Sequence, residues 1–202
     1  AAFPTIEQFV RFGAELTRVD IVPGSWADKI FDAVDRGEIA LQEGRELIFD
    51  YVIPSLDTTI YAIGEMLFQL ASSPDAFDDL RRQPELTSAV IMESVRLASP
   101  LRGFTRYAAE DFRFSVTTVP IGARVWLLYA SANRDERHYP DPDRFDIHRN
   151  PRDHIGWGHG VHMCVGMHLA KLEMEAILLS LVNCVARMEM GTPALLPGVG
   201  SS

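Results

Sequence analysis

Apolar positions recur at helical spacing over most of the 202 residues. Over residues 5–17 they fall at Ile6, Phe9, Val10, Phe12 and Leu16, which predicts a helix closed by Asp20 and the Val22-Pro23-Gly24-Ser25 turn. Ser25 then reads as the N-cap of a second helix, residues 26–36, with Gly37 as its stop. Residues 41–71 are apolar on nearly every side, with only Asp50, Asp57 and Glu65 charged after Arg45 and Glu46. This predicts a long helix buried at the centre of the domain. Ser73-Pro74 closes it and opens a short helix over 75–82, and Pro84 leads into another over 86–98. Residues 112–116 and 123–127 alternate around Pro120-Ile121-Gly122 and predict two short antiparallel strands. From Gly166 onward, Leu169, Leu172, Ala176, Leu179 and Val182 mark a last helix. Gly191 begins a run of glycine and proline without periodicity, so 191–202 reads as a disordered tail on a domain spanning 1–190. The fold class expected is mainly α with a small β region.

Three places depart from a plain core pattern. Pro54 lies inside the long helix, where it removes an N–H and crowds the carbonyl of Asp50, so a kink is expected there. Asp57 and Thr58 follow it. On their own they read as a paired acid and a hydroxyl bonded one turn back. Glu93 and Arg96 stand at i, i+3 on one helix face and can interact directly. The third place is Gly156-Trp157-Gly158-His159-Gly160-Val161-His162-Met163-Cys164-Val165-Gly166. Gly158, Gly160 and Gly166 leave the backbone around Cys164 without side-chain bulk, as a flat ligand lying on the main chain requires. The helix that follows presents unpaired N–H groups and a positive dipole end, which favours a thiolate, and a thiolate binds metal.

Trp157-Gly158-x-Gly160-x-His162-x-Cys164-x-Gly166, followed by Leu169, Ala170 and Glu173, closely resembles the haem-binding signature of the cytochrome P-450 superfamily. The resemblance extends over most of residues 25–187 and looks like the C-terminal half of a soluble bacterial member. It implies a partial fold comprising a central distal helix, a Glu-x-x-Arg helix, a meander, a cysteine loop and a proximal helix. Cys164 would be the axial thiolate ligand of haem b iron. Trp157 stands where the family usually has Phe, as an aromatic plate beside the thiolate. Asp57 and Thr58 take the places of the acid and threonine that handle dioxygen and protons, with Pro54-Ser55 replacing the family's small residue and glycine. Arg106 fits one haem-propionate contact, with Arg102 a rival for it, and His162 fits the second. Pro140-Asp141-Pro142-Asp143-Arg144-Phe145 resembles the meander, so Glu93, Arg96 and Arg144 are expected to form a buried structural triad. The implied activity is monooxygenation of a small organic substrate by dioxygen. The signature and the helix after it look most like relatives that oxidise aromatic acids. A ferredoxin-type donor would supply electrons, and Lys171 is either its contact or a solvated surface lysine. The family's N-terminal half is not represented and the chain begins AAFPTIEQF without methionine, so a fragment is expected, one that could be inactive by itself.

Charge and cysteine usage narrow the classes further. A formal net charge of -9 and pI of about 5.1, with scattered basic residues, argue against a nucleic-acid partner. Charges interrupt every apolar stretch of about 18 residues, so no membrane span is expected. Cys164 and Cys184 lie several helical turns apart and do not suggest a disulfide, and without a disulfide framework or signal segment the cytoplasm is the simplest compartment. An alternative class is a structural or regulatory zinc site built from His154, His159, His162, His168 and Cys164, though no second cysteine stands at zinc-finger spacing. His138 and His148 read as surface residues.

Overall fold

The structure is a computed structural model that describes residues 6–191. Of the expected tail, 191–202, all but the first residue lies outside the described residues. Among the described residues seven α-helices run in the order α1 (Ile6–Glu15), α2 (Trp26–Asp35), α3 (Leu41–Ser72), α4 (Pro74–Arg82), α5 (Thr87–Ala98), α6 (Tyr129–Ala132) and α7 (Met167–Cys184). Between α5 and α6 lie four short strands, β1 (Phe104–Tyr107), β2 (Phe112–Phe114), β3 (Thr117–Val119) and β4 (Arg124–Leu127). The chain divides into two compact units, one up to Asp57 and one from Thr58 onward.

The first unit is small, and its core is Leu16, Phe31 and Ile48, with Ile21, Ala27 and Ile30 packed around them. The Ser25 hydroxyl accepts from the Asp28 N–H at 3.1 Å, so the predicted cap of α2 forms. Gly13 has no room for a side chain because the Phe49 ring occupies the place where a Cβ would stand. Arg45 ties α3 to the end of α1 by donating from Nε to the Leu16 carbonyl at 2.8 Å.

The second unit holds the main core. Ala62, Met66 and Leu70, one turn apart on α3, pack with Phe77 and Leu80 of α4, Val90, Ile91 and Val95 of α5, Ile147, and Met174 and Leu178 of α7. Eleven of the twelve residues of α5 are buried, more than in any other helix, although α5 carries Glu93 and Arg96. Thus α5, and not the middle of α3, is the central element. Tyr51, Val52, Ile53, Leu56, Ile60 and Tyr61 of α3 are all exposed, and the helix runs through Pro54 without interruption. The apolar run had suggested burial, but its central turns cover no part of the core described here.

The strands correct a pairing. β2 closes on β3, with Phe112 opposite Val119, through a tight turn in which Ser115 adopts φ of 54°. β4 instead pairs antiparallel with β1, Phe104 opposite Leu127 and Tyr107 opposite Arg124. The two expected strands exist, but each has its own partner. Pro120-Ile121-Gly122 therefore connects the β2–β3 hairpin to β4 and is not the tip of a hairpin.

Candidate functional site

Cys164 sits two residues before the N-cap of α7, Gly166, at the end of a loop that opens at Gly156. One main-chain bond closes the loop. The Cys164 N–H donates to the Trp157 carbonyl at 2.8 Å, and a short 3₁₀ turn over Gly160–His162 fills the interval. Gly158 and Gly160 make this closure possible with φ of 72° and 70°, a region that side-chain-bearing residues disfavour. Gly166 has ordinary helical φ of −82°, so its lack of a side chain is not required by the backbone. A Cβ there would meet only the Cys164 Sγ, at 3.9 Å, and one at Gly160 would meet nothing within 4 Å. The thiol of Cys164 is free and exposed, as is that of Cys184 at the other end of α7.

Beneath the loop, His154 and Trp157 are set into the protein. The Trp157 ring packs against the main core and Lys171 Nζ stands 5.9 Å from its centroid. His154 is buried, and its Nδ1 accepts from the Gly156 N–H at 3.0 Å, so the ring proton resides on Nε2. Burial pushes the imidazole down to about 4, with the Lys171 and Arg96 cations acting the same way and Asp153 opposing them. His154 therefore remains neutral. His162, by contrast, lies exposed at the end of the 3₁₀ turn, with its carbonyl 3.4 Å from where a Gly158 Cβ would stand.

The acid–base network lies on α5. Arg96 donates from Nε and Nη2 to the two Glu93 carboxylate oxygens, each at 2.8 Å, and both residues are fully buried. Its Nη1 donates to the Asn133 and Pro142 carbonyls at 2.7 Å each, and Nη2 also reaches the Arg144 carbonyl at 3.5 Å. All five guanidinium protons are thus directed at acceptors, which offsets the desolvation of a buried charge. The third cation is not Arg144. Arg149 donates from Nε to Glu93 Oε1 at 3.2 Å and is only 12% exposed, whereas the Arg144 guanidinium is 65% exposed and pairs with Asp146 at 2.6 Å. Arg144 contributes its carbonyl, not its charge. The residues between Phe145 and Arg149 carry no period, so sequence spacing could not distinguish the two arginines; Asn133, which joins this network, also went unmarked.

The remaining expected site residues lie on other elements. Arg106 is half-buried in β1, donates to the Thr105 carbonyl at 3.0 Å and lies 5.7 Å from the Phe104 ring centroid, while its rival Arg102 is exposed ahead of the strand. Asp57 is exposed and Thr58 half-buried on α3, at the boundary between the two units. The zinc alternative does not assemble. Among the described residues no group of three or more His, Cys, Asp or Glu side chains could hold a metal ion. His154 is turned into the core, and His138 pairs with Asp153 at 2.7 Å.

This arrangement suits a ligand bound through one protein atom: a single exposed thiol, glycine on both sides, and a buried network bracing the segment upstream. Residues 25–184 match the family described as Cytochrome P450. The chain belongs to the cytochrome P450 family. It is 39% identical over 176 residues to cytochrome P450 CYP199A2 of Rhodopseudomonas palustris, covering 87% of this chain and 43% of that protein. It is also 39% identical over 134 residues to linalool 8-monooxygenase of Pseudomonas putida, covering 66% of this chain and 33% of that one. Among solved structures it resembles the tirandamycin C-bound P450 monooxygenase TamI, with a TM-score of 0.79 and 29% identity over 88% of this chain and 45% of that one. The chain spans less than half the length of these P450 relatives. P450 members bind haem b through a cysteine thiolate, and the exposed Cys164 thiol with open space at Gly160 and Gly166 fits that group. No P450 helix described here is long and apolar enough to cross a membrane.

Proposed function

We propose that this chain supplies the thiolate side of a haem-dependent monooxygenase, with Cys164 as the axial ligand. The observation that carries the reading is Cys164 itself, an exposed free thiol fixed at the entrance to α7 by its own N–H on the Trp157 carbonyl. When bound, haem supplies the activation of dioxygen, one atom entering a small organic substrate and the other leaving as water. The roles of the protein residues follow from their places. Cys164 presents sulfur from a glycine-lined loop. Gly160 and Gly166 leave the space beside it open, Gly158 gives the loop its turn, and Trp157 closes the loop from the core side. Arg106 and His162 are assigned to the two propionates, Arg106 offering a planar guanidinium and His162 a ring on an exposed turn. Asp57 and Thr58, adjacent on α3, are assigned to proton delivery. Glu93, Arg96 and Arg149 brace the segment that precedes the cysteine loop.

An aromatic acid is the substrate class to test first, and electrons are assigned to a ferredoxin-type donor in the cytoplasm, with Lys171 as one contact. The test begins with the chain supplied with haem, reduced and exposed to carbon monoxide. Thiolate ligation predicts the red-shifted Soret band for which the family is named, abolished in Cys164→Ser and retained in Cys184→Ser. A folded chain that binds haem without that band, or keeps it in Cys164→Ser, would overturn the assignment.

A further inference from the structure

Asn133 is 1% exposed, and each of its polar atoms has a partner. Its main-chain N–H donates to the Tyr129 carbonyl at 2.9 Å, and its own carbonyl accepts from Arg96 Nη1 at 2.7 Å. The side chain spans a gap between two segments. Nδ2 donates to the Ser99 hydroxyl at 2.9 Å, and Oδ1 accepts from the Ile155 N–H at 2.9 Å. Ser99, in a left-handed conformation with φ of 37° just after α5, passes the contact on by donating to the Arg96 carbonyl at 2.9 Å. The orientation of the amide is fixed by chemistry, because a flipped group would set its NH₂ against the Ile155 N–H.

Ile155 lies two residues before Trp157, whose carbonyl holds the Cys164 N–H at 2.8 Å. A continuous path therefore runs from the buried Glu93–Arg96 pair through Ser99 and the Asn133 amide to the segment from which the cysteine loop is suspended. We infer that Asn133 is a positioning residue for Cys164, coupling the acid–base network of α5 to the loop by a side chain that accepts from one segment while donating to the other. A carboxamide carries a neutral donor and acceptor on one planar group, and Gln is one methylene too long for a gap closed by two 2.9 Å bonds. The functional consequence rests on the reading of Cys164 as ligand; the mechanical link does not.

The test is hydrogen exchange on the whole chain, read at the Ile155 and Cys164 amides with the buried amides of α5 as the internal reference. Asn133→Ala is expected to speed exchange at Ile155 and Cys164 on the order of tenfold while α5 is unchanged. Ser99→Ala removes the Nδ2 partner but leaves the Ile155 acceptor, so Cys164 exchange should speed by less than in Asn133→Ala. Asn133→Asp retains that acceptor and provides a folded comparison if the alanine variant is too unstable, with Ile155 expected to remain protected. Unchanged Cys164 exchange in Asn133→Ala, or acceleration shared equally by α5, would overturn the inference. With haem added, the fraction of thiolate-type Soret band should fall in Asn133→Ala and by less in Ser99→Ala. If the unaltered chain shows no such band, the ligand assignment fails, while the exchange result still decides the role of Asn133.

Discussion

Arg149 donates to Glu93 Oε1 at 3.2 Å, the same oxygen that accepts from the Asp146 N–H at 3.1 Å and from Arg96. The carboxylate of α5 is thus satisfied by two arginines and by the main chain of the long loop between α6 and α7. Removal of Arg149 leaves a fully buried carboxylate with one cation fewer and frees the Pro140 and Asp141 carbonyls that the same guanidinium holds. Arg149→Ala should cost about 2 kcal/mol or more in chemical denaturation. Arg144→Ala, which breaks only an exposed pair with Asp146, should stay within about 0.5 kcal/mol. Equal losses in the two variants would contradict the network described here.

The three glycines around Cys164 serve two different needs, and substitution separates them. Gly158→Ala forces a side chain into φ of 72° and brings a Cβ to 3.4 Å from the His162 carbonyl, so a stability loss of about 1–2 kcal/mol is expected even without haem. Gly166→Ala meets no backbone strain and only the Cys164 sulfur at 3.9 Å, so thermal unfolding without haem should barely move. Its cost should appear as weaker haem binding. Full haem affinity in Gly166→Ala would show that the ligand does not lie against this turn.

How much of this was legible beforehand depended on the range of the contacts involved. The caps, prolines and helical periods placed α2, α4, α5 and α7 within a residue or two, because those signals act within a few positions of the chain. Cys164 stood out for the same reason, since its glycines and aromatic residue lie within one loop. Arg149, Asn133 and His154 act across separations of 22 to 56 residues or through burial alone, and no local pattern marks them. Likewise, an apolar run shows what could be buried and not what covers it: Leu56 and Ile60 on α3 are 55% and 67% exposed, while charged Glu93 and Arg96 are buried. The strand pairing failed because the turn at Ser115-Val116 carries neither glycine nor proline, whereas the connector between β3 and β4 carries both.

Burial predicts a difference in dynamics that reverses the expectation from hydropathy. The amides of α5, eleven of whose residues are buried, should exchange only on global unfolding. Those of residues 50–57 in α3, all exposed or nearly so and containing Pro54, should exchange through local opening at least tenfold faster. Peptide-level exchange on the chain would decide this, and equal protection of the two helices would contradict the burial pattern.

His154 gives the fold a defined response to acid. An imidazole in the unfolded chain titrates near about 6.5, whereas burial beside Lys171 and Arg96 lowers the folded value to about 4, with only Asp153 opposing. The unfolded state therefore takes up its proton first. Stability from the neutral ring is complete above about 6.5, declines as the pH falls toward 4 and changes no further below that, a total on the order of 3 kcal/mol. The paired carboxylates act in a separate, lower window: Asp135, held down to about 2 by Arg137, and Asp153, lowered by His138, lose their contribution only under more acidic conditions. His154→Gln removes the titration and should flatten the dependence between pH 6.5 and 4 without altering the carboxylate limb. Urea midpoints measured across that range would show it, and an unchanged slope in the variant would mean that another group controls the acid response.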